Sequence, residues 1–210
     1  MVTETRKRDA DATKDAIMDA AQALFLERGF ADVSLSQVAK AADVTKSLIH
    51  HHFGSKDKLW IEVKQGFFND FFGEQINMLS NTEASMNLLR MSVEGYFRYL
   101  QHKPEFVRMN CWMQLEQDTT CSEMDNEIMN IGVKRIREAQ DKGDIRSDIP
   151  ADYIVISFLT MVEGWFLGKH RWPNSHFQEL SEVERNKALA DEAYMEHMLT
   201  IFFDGVKPRD

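Results

Sequence analysis

Apolar residues recur along most of the chain at three- and four-residue intervals, the spacing that gathers them on one face of an α-helix. Ile17, Ala20, Ala21, Leu24 and Phe25 share a face of a first helix expected over about residues 11–28, which Gly29 stops and Phe30 packs back across. Ser34-Leu35-Ser36-Gln37 then reads as a capping box, with Val33 and Val38 at the staple positions, so a second helix is expected over about residues 35–42. After the turn Ala42-Asp43-Val44, Thr45 is a second N-cap, with Val44 and Ile49 as its staple. Ser55 caps a fourth helix over about residues 56–79, roughly 36 Å long at the standard rise. Its rows Leu59, Val63, Phe67, Phe71 and Trp60, Phe68, Phe72 require that its later turns be enclosed. Further helices are expected over about residues 84–102, 104–117, 122–142, 151–169 and 181–203, punctuated by Pro104, Gly143, Pro150 and Pro173. The fold class is therefore all-α, with about nine helices.

Two short helices joined by a three-residue turn make a helix-turn-helix. Val38, Ala39 and Ala42 of the first face Val44, Leu48 and Ile49, and their small size lets the helices cross closely. Lys46, Ser47, His50 and His51 are left pointing outward. Such a motif lays its second helix in the DNA major groove with the N-terminal residues against base edges, which suits Thr45, Lys46 and Ser47. Lys56, Lys58 and the exposed amides that open the fourth helix form a phosphate site beside it. An ordinary helical hairpin in a bundle would show the same periodicity. The DNA-contacting set expected from this reading is Ser34, Thr45, Lys46, Ser47, His50, His51 and Lys56.

Phe25, Gly29, Ser34 to Val38, Ala39, Ala42, Val44 to Ile49 and Phe53 to Leu59 resemble the N-terminal domain of the tetracycline-repressor (TetR) family of bacterial regulators. That resemblance covers about the first sixty residues, and the rest of the chain is similar in length and helical character. It implies a helix-turn-helix domain at residues 1–55 followed by a helical-bundle, effector-binding and dimerisation domain at residues 56–210. Two positions depart from the family pattern. Asp43 stands where a turn Gly is usual, and His50 where a phosphate-contacting Tyr is usual, which makes a pH-dependent contact plausible.

Net charge is −9, at first sight unfavourable for a nucleic-acid partner. Residues 1–60, however, hold nine Lys and Arg against nine Asp and Glu, so all the excess acidity lies in the remaining 150 residues, with 16 basic and 25 acidic. Arg6, Lys7, Arg8, Lys46, Lys56 and Lys58 can share one face of the head, whereas Asp11, Asp15 and Asp19 run along the first helix. Binding through such a local basic face depends on salt. Residues 1–14 are charged and without an apolar stretch, so no signal peptide is expected there. The least polar segment, residues 153–167, contains Ser157, Thr160 and Glu163 and is read as too short to span a membrane. A cytoplasmic protein with no membrane partner is expected. Cys111, beside Trp112 and Met113, reads as a small buried hydrophobe, and Cys121 lies near a helix start where a thiolate is favoured.

The helix over residues 151–168 is apolar nearly all round, and the last helix carries more apolar surface, Leu189 included, than a terminal helix needs. Either both are central in a monomer or they pair with their symmetry mates. The family resemblance implies the latter, an intersubunit four-helix bundle built on Tyr153, Phe158, Met161, Trp165, Tyr194, Met198 and Phe202. A two-fold dimer also explains how one short recognition helix suffices, because the pair reads a palindrome. Between these helices and the fourth lie many Met and aromatic residues, among them Met86, Met91, Tyr99, Phe106 and Met124, which fill cores more often than they line sites. The resemblance implies an effector cavity there, with Phe67, Phe71, Met78, Tyr96, Met109, Trp112, Met113 and Glu163 as lining candidates. Glu163, surrounded by apolar neighbours, either holds a cationic or hydroxyl-bearing ligand or pairs with an Arg.

Catalysis finds little support: there is no Gly-rich phosphate loop, His-Glu-x-x-His, Gly-x-Ser-x-Gly or Cys-x-x-Cys. Three consecutive His on one helix point about 100° apart and cannot jointly chelate a metal. No cofactor or metal is expected. The expected function is a ligand-responsive transcriptional regulator, a dimeric repressor released from double-stranded DNA by a small, largely apolar effector. The alternatives are an effector-independent architectural DNA binder, or a helical-bundle metalloenzyme if Glu94, Glu116, Glu163 and Glu196 converge.

Overall fold

The computed structural model describes residues 2–120, 122–169, 171, 181–188 and 190–208. Cys121 and Leu189, and the side chains of Arg6, Lys7, Arg8 and Met124, lie outside the described residues. Among the described residues the chain is all helix, as the periodicity requires: α1 (Val2–Arg28), α2 (Leu35–Ala41), α3 (Lys46–Phe53), α4 (Lys56–Asn81), α5 (Met86–His102), α6 (Pro104–Leu115), α7 (Ser122–Asp141), α8 (Ala151–Gly168), α9 (Glu182–Ala188) and α10 (Asp191–Val206). It divides into two compact units. The first holds Met1–Asp70 and Arg108–Ser122, and the second holds Phe71–Val107 and Glu123–Asp210. Helices α4 and α6 each contribute turns to both units.

In the first unit, local chemistry sets each helix boundary. Ser34 and Gln37 form the full capping box: Ser34 Oγ accepts from the Gln37 amide, and Gln37 Oε1 accepts from the Ser34 amide at 2.7 Å. α2 ends in a Schellman motif, with the Val44 amide donating to Ala39 O at 2.9 Å and Asp43 in the left-handed region at φ 52°. An aspartate thus performs the turn that glycine performs more freely. Thr45 caps α3 through its side chain, and Ile49 and Phe53 bury the inner face of that helix.

The last turns of α6 belong to this same unit and close on the end of α1. The Trp112 indole donates to Leu26 O at 3.1 Å, and Glu116 Oε1 accepts from the Ala31 amide at 3.2 Å. Gly29, at φ 78°, makes that approach possible, because a Cβ there would lie 2.7 Å from the Trp112 ring and 2.8 Å from Glu116 Oε1. Beyond α6, Gln117 turns left-handed at φ 52° and delivers Asp118 to α4. Asp118 accepts from the Trp60 indole at 2.6 Å and from the Lys64 ammonium at 2.5 Å. Lys64 is 0% exposed and also donates to the Thr120 hydroxyl. Burial opposes the charge on Asp118, yet the bonds from Lys64, Thr120 and Trp60 outweigh it and hold the carboxyl well below the usual carboxylate range.

The second unit is built on α5, α8 and α10 with the later turns of α4. Phe97 of α5 meets Phe166 of α8 at 5.0 Å, and Trp165 of α8 stacks on Tyr194 of α10 at 4.1 Å. Phe71 of α4 stacks on Tyr99 at 4.4 Å. Arg135 of α7 donates to Leu79 O and Ser80 O, satisfying carbonyls at the end of α4. The Schellman turn after α7 uses Gly143 at φ 80°.

Two expectations are corrected. The final helix, expected as one element over residues 181–203, is two, with Ala190 extended at φ −66° and ψ 137° between them. No Gly or Pro marks this break, and the cause is tertiary. Asp191 accepts from the Trp165 indole at 2.8 Å and the Lys169 ammonium at 2.9 Å, while Glu192 accepts from Arg98 and Gln101 of α5. These bonds fix where α10 starts. Second, α8 at 18 residues does meet the length and composition of a membrane span, contrary to the reading of that segment as too short. Its Ile154, Val155, Phe158, Val162, Trp165 and Phe166 are nevertheless spent on the core of the second unit.

Candidate functional site

The first unit presents the outer face of α3. Thr45, Lys46, Ser47, His50 and His51 are all exposed, whereas Ile49 and Phe53 are buried on the opposite face. Thr45 Oγ1 accepts from the Leu48 amide at 3.3 Å and lies 2.9 Å from Ser47 Oγ, so the two hydroxyls at the helix start are held together. Ser34, also exposed, has its hydroxyl engaged by the capping box.

His50 has a defined tautomer. Its Nδ1 lies 2.8 Å from Gly54 O, and since a carbonyl only accepts, Nδ1 carries the hydrogen. Neutral His50 therefore offers an acceptor at Nε2, and it can donate from that nitrogen to a phosphate oxygen only as imidazolium. Lys56 is half-buried, with its ammonium 4.1 Å from the centre of the Phe30 ring and 3.3 Å from Ala31 O. It braces the start of α4 against the α1–α2 turn, while Lys58, two residues on and beside Gly54, is exposed. The Ser55 hydroxyl caps α4 by accepting from the Lys58 amide.

The eight residues expected to line an effector cavity are distributed over both units. Phe67, Met109, Trp112 and Met113 belong to the first, where Trp112 is committed to Leu26 and Gly29. Phe71, Met78, Tyr96 and Glu163 belong to the second. There the structure gathers three of them: the Phe71 ring is 5.5 Å from that of Tyr96, whose hydroxyl donates to Glu163 Oε1 at 2.6 Å. Met78 is half-buried in the last turns of α4.

Sequence reading missed Gln75 and Ser92, which join this group. Positions 59, 63, 67, 71, 75 and 79 form one buried row on α4, and Gln75 is its polar member at 8% exposure. Gln75 Oε1 accepts from the Ser92 hydroxyl of α5 at 3.2 Å. A polar residue at four-residue spacing in an apolar row was the available signal, and Lys64 gives the same signal in the neighbouring row of Trp60 and Phe68.

Of the residues expected at a dimer interface, Phe158, Trp165, Met198 and Phe202 are buried within the single chain, and Met161 and Tyr194 are half-buried. Their apolar surface is consumed by the packing of α8 on α5 and α10. Tyr153 is 64% exposed, and with Ile156, Thr160 and Leu167 it forms the outward stripe of α8. Ile201, 66% exposed, lies on the outward side of α10. Among the described residues no three His, Cys, Asp or Glu side chains form a metal-holding group. Glu94 pairs with Arg90, Glu116 bonds Ala31 and Glu163 bonds Tyr96.

Residues 17–63 match the family model described as bacterial regulatory proteins, tetR family, and residues 92–194 match that of the tetracyclin repressor-like C-terminal domain. The chain is 27% identical to the HTH-type transcriptional repressor NicS of Pseudomonas putida over 90% of its own length and 91% of that protein. It is 28% identical to the HTH-type transcriptional regulator AcrR of Shigella flexneri over 77% and 78%. In three dimensions it is similar to a TetR family transcription regulator from Marinobacter aquaeolei, with a TM-score of 0.70 at 16% identity, over 97% of this chain and all of that one.

Proposed function

Since this chain belongs to the TetR family of bacterial regulatory proteins and is a ligand-responsive DNA-binding transcriptional regulator, we propose that it acts in the cytoplasm as a dimeric repressor of a palindromic operator. The observation that carries the reading is the exposed start of α3, where Thr45, Lys46, Ser47, His50 and His51 project from a helix locked on its other face by Ile49 and Phe53. Lys46, Ser47 and Thr45 read base edges, while Lys58, Lys56 and the α4 amides hold phosphate. The head at residues 1–55 does the reading, and residues 56–210 bind effector and pair with a second copy. Pairing uses the outward stripes of α8 and α10, with Tyr153, Ile156, Leu167 and Ile201 at its centre.

Effector bound in the second unit favours the state of α4 that DNA rejects, so the operator is released by population shift. What supports this is the continuity of α4, one helix that carries Lys56 at its start and Phe71 and Gln75 in its later turns. Selection of binding sites from random double-stranded DNA by the full chain tests the reading. Two inverted half-sites should emerge, and Lys46→Ala should relax the selected sequence while Lys58→Ala weakens binding to all sequences and flattens its salt dependence. Recovery of no common sequence would sink the proposal. For the dimer, Tyr153→Glu with Ile201→Glu should shift the sedimentation coefficient to that of a monomer.

A further inference from the structure

His50 and Gly54 hold one another at the end of α3. The Gly54 amide donates to His50 O at 2.9 Å, and Gly54 O, on a residue turned left-handed at φ 80°, comes back to within 2.8 Å of His50 Nδ1. That carbonyl can only accept, and a neutral imidazole has one N–H, so the hydrogen is spent inside the protein. Nε2 is left with a lone pair, and among the described residues nothing bonds to it. The side chain is exposed on the outward face of α3, one turn after Lys46 and Ser47.

What such a nitrogen can meet on a DNA duplex is restricted. Phosphate oxygens are acceptors, so a lone pair turned toward one repels it and forms no bond. In the major groove guanine presents O6 and N7 and thymine presents O4, which are acceptors again. Only the exocyclic amino groups, N4 of cytosine and N6 of adenine, donate there. Lys46, four residues earlier in the same row, is the opposite case, since its ammonium only donates and suits guanine O6 and N7. The outward row of α3 therefore presents a donor followed by an acceptor.

We propose that His50 is a specificity-determining residue that accepts a hydrogen bond from the amino group of one cytosine or adenine in each half-site, and is not a phosphate contact. This rests on the reading of α3 as the helix in the major groove. Sites are selected from random double-stranded DNA with the full-length wild type and with His50→Phe. The wild type should select cytosine or adenine at one position of each half-site, where His50→Phe accepts all four bases while the rest of the half-site is unchanged. In the selected operator, purine in place of that adenine, or 2-pyrimidinone in place of that cytosine, deletes the amino group and leaves the protein as it is. This should weaken wild-type binding about three- to fivefold and leave His50→Phe binding nearly unchanged. Salt dependence separates base from phosphate. Loss of a neutral base contact keeps the slope of log affinity against log salt, whereas loss of a charged phosphate contact flattens it by about 0.9. Identical selected sequences for the two proteins, equal sensitivity of both to the deleted amino group, or a flatter slope for His50→Phe would each overturn the assignment. A common sequence that His50→Phe does not relax removes only this role for His50, whereas no common sequence from the wild type removes the operator reading and this role with it.

Discussion

Lys64 and Gln75 sit on the same helix, each the polar member of an otherwise apolar buried row, yet their surroundings differ in kind. Around Lys64, in the first unit, every group has been matched: the ammonium meets Asp118 and Thr120, and Asp118 also receives the Trp60 indole. Around Gln75, in the second unit, one bond to Ser92 is made. A satisfied polar network fixes one arrangement, and a sparser one fixes it less firmly. A regulator needs both, a head that holds its shape on DNA and a body whose state can be altered.

The largest break in this comparison comes from removing one ion. Lys64→Met leaves the Asp118 carboxylate buried without its cation and should lower unfolding stability by about 3–5 kcal/mol in urea titration. Adding Asp118→Leu to that variant should recover much of the loss, because an apolar pair needs no matching. If Lys64→Met alone proved neutral, the network would not be what holds the first unit. Next, Gly29→Ala forces a left-handed alanine against Trp112 and should cost about 2–4 kcal/mol. Acid sharpens the contrast further. Asp118 titrates below its unfolded value near 4, so the stability it contributes is complete above that pH and is lost as pH falls below it. Wild type should weaken over that window, and Asp118→Asn should show a flatter profile from a lower plateau. Gln75→Leu should change stability by less than about 1 kcal/mol in either direction, since it removes a single hydrogen bond. The smallest effect concerns His50. His50→Phe should weaken DNA binding by no more than about fivefold in a titration of operator DNA, since it removes a single polar group from the outward face of α3.

The head was legible because its determinants are local. Ser34 and Gln37, Thr45, Asp43 and Gly54 each act within a few residues, and their spacing alone places two helices and the turn between them. The division of α9 from α10 was not legible, because Lys187-Ala188 and Ala190 favour helix while the break is imposed by Asp191 bonding to Trp165 and Lys169. Apolar richness in α8 and α10 was visible, but which residues stay outside was not. Periodicity cannot tell Phe158, buried against Phe202 of α10, from the exposed Tyr153. The bond of Trp112 to Leu26 was not legible for the same reason, since 86 residues separate the two.

By itself, then, the sequence determined the all-helical class, the helix-turn-helix and the residues that project from it, since caps, turns and one-face patterns are short-range and act before any packing exists. Tertiary structure alone decided how buried polar groups are matched. That Lys64 finds Asp118 across 54 residues, while the Gln75 amide finds only Ser92, depends on which helices meet and how closely they approach. Such partners are long-range and specific to one packing, so they leave no periodic trace in the chain.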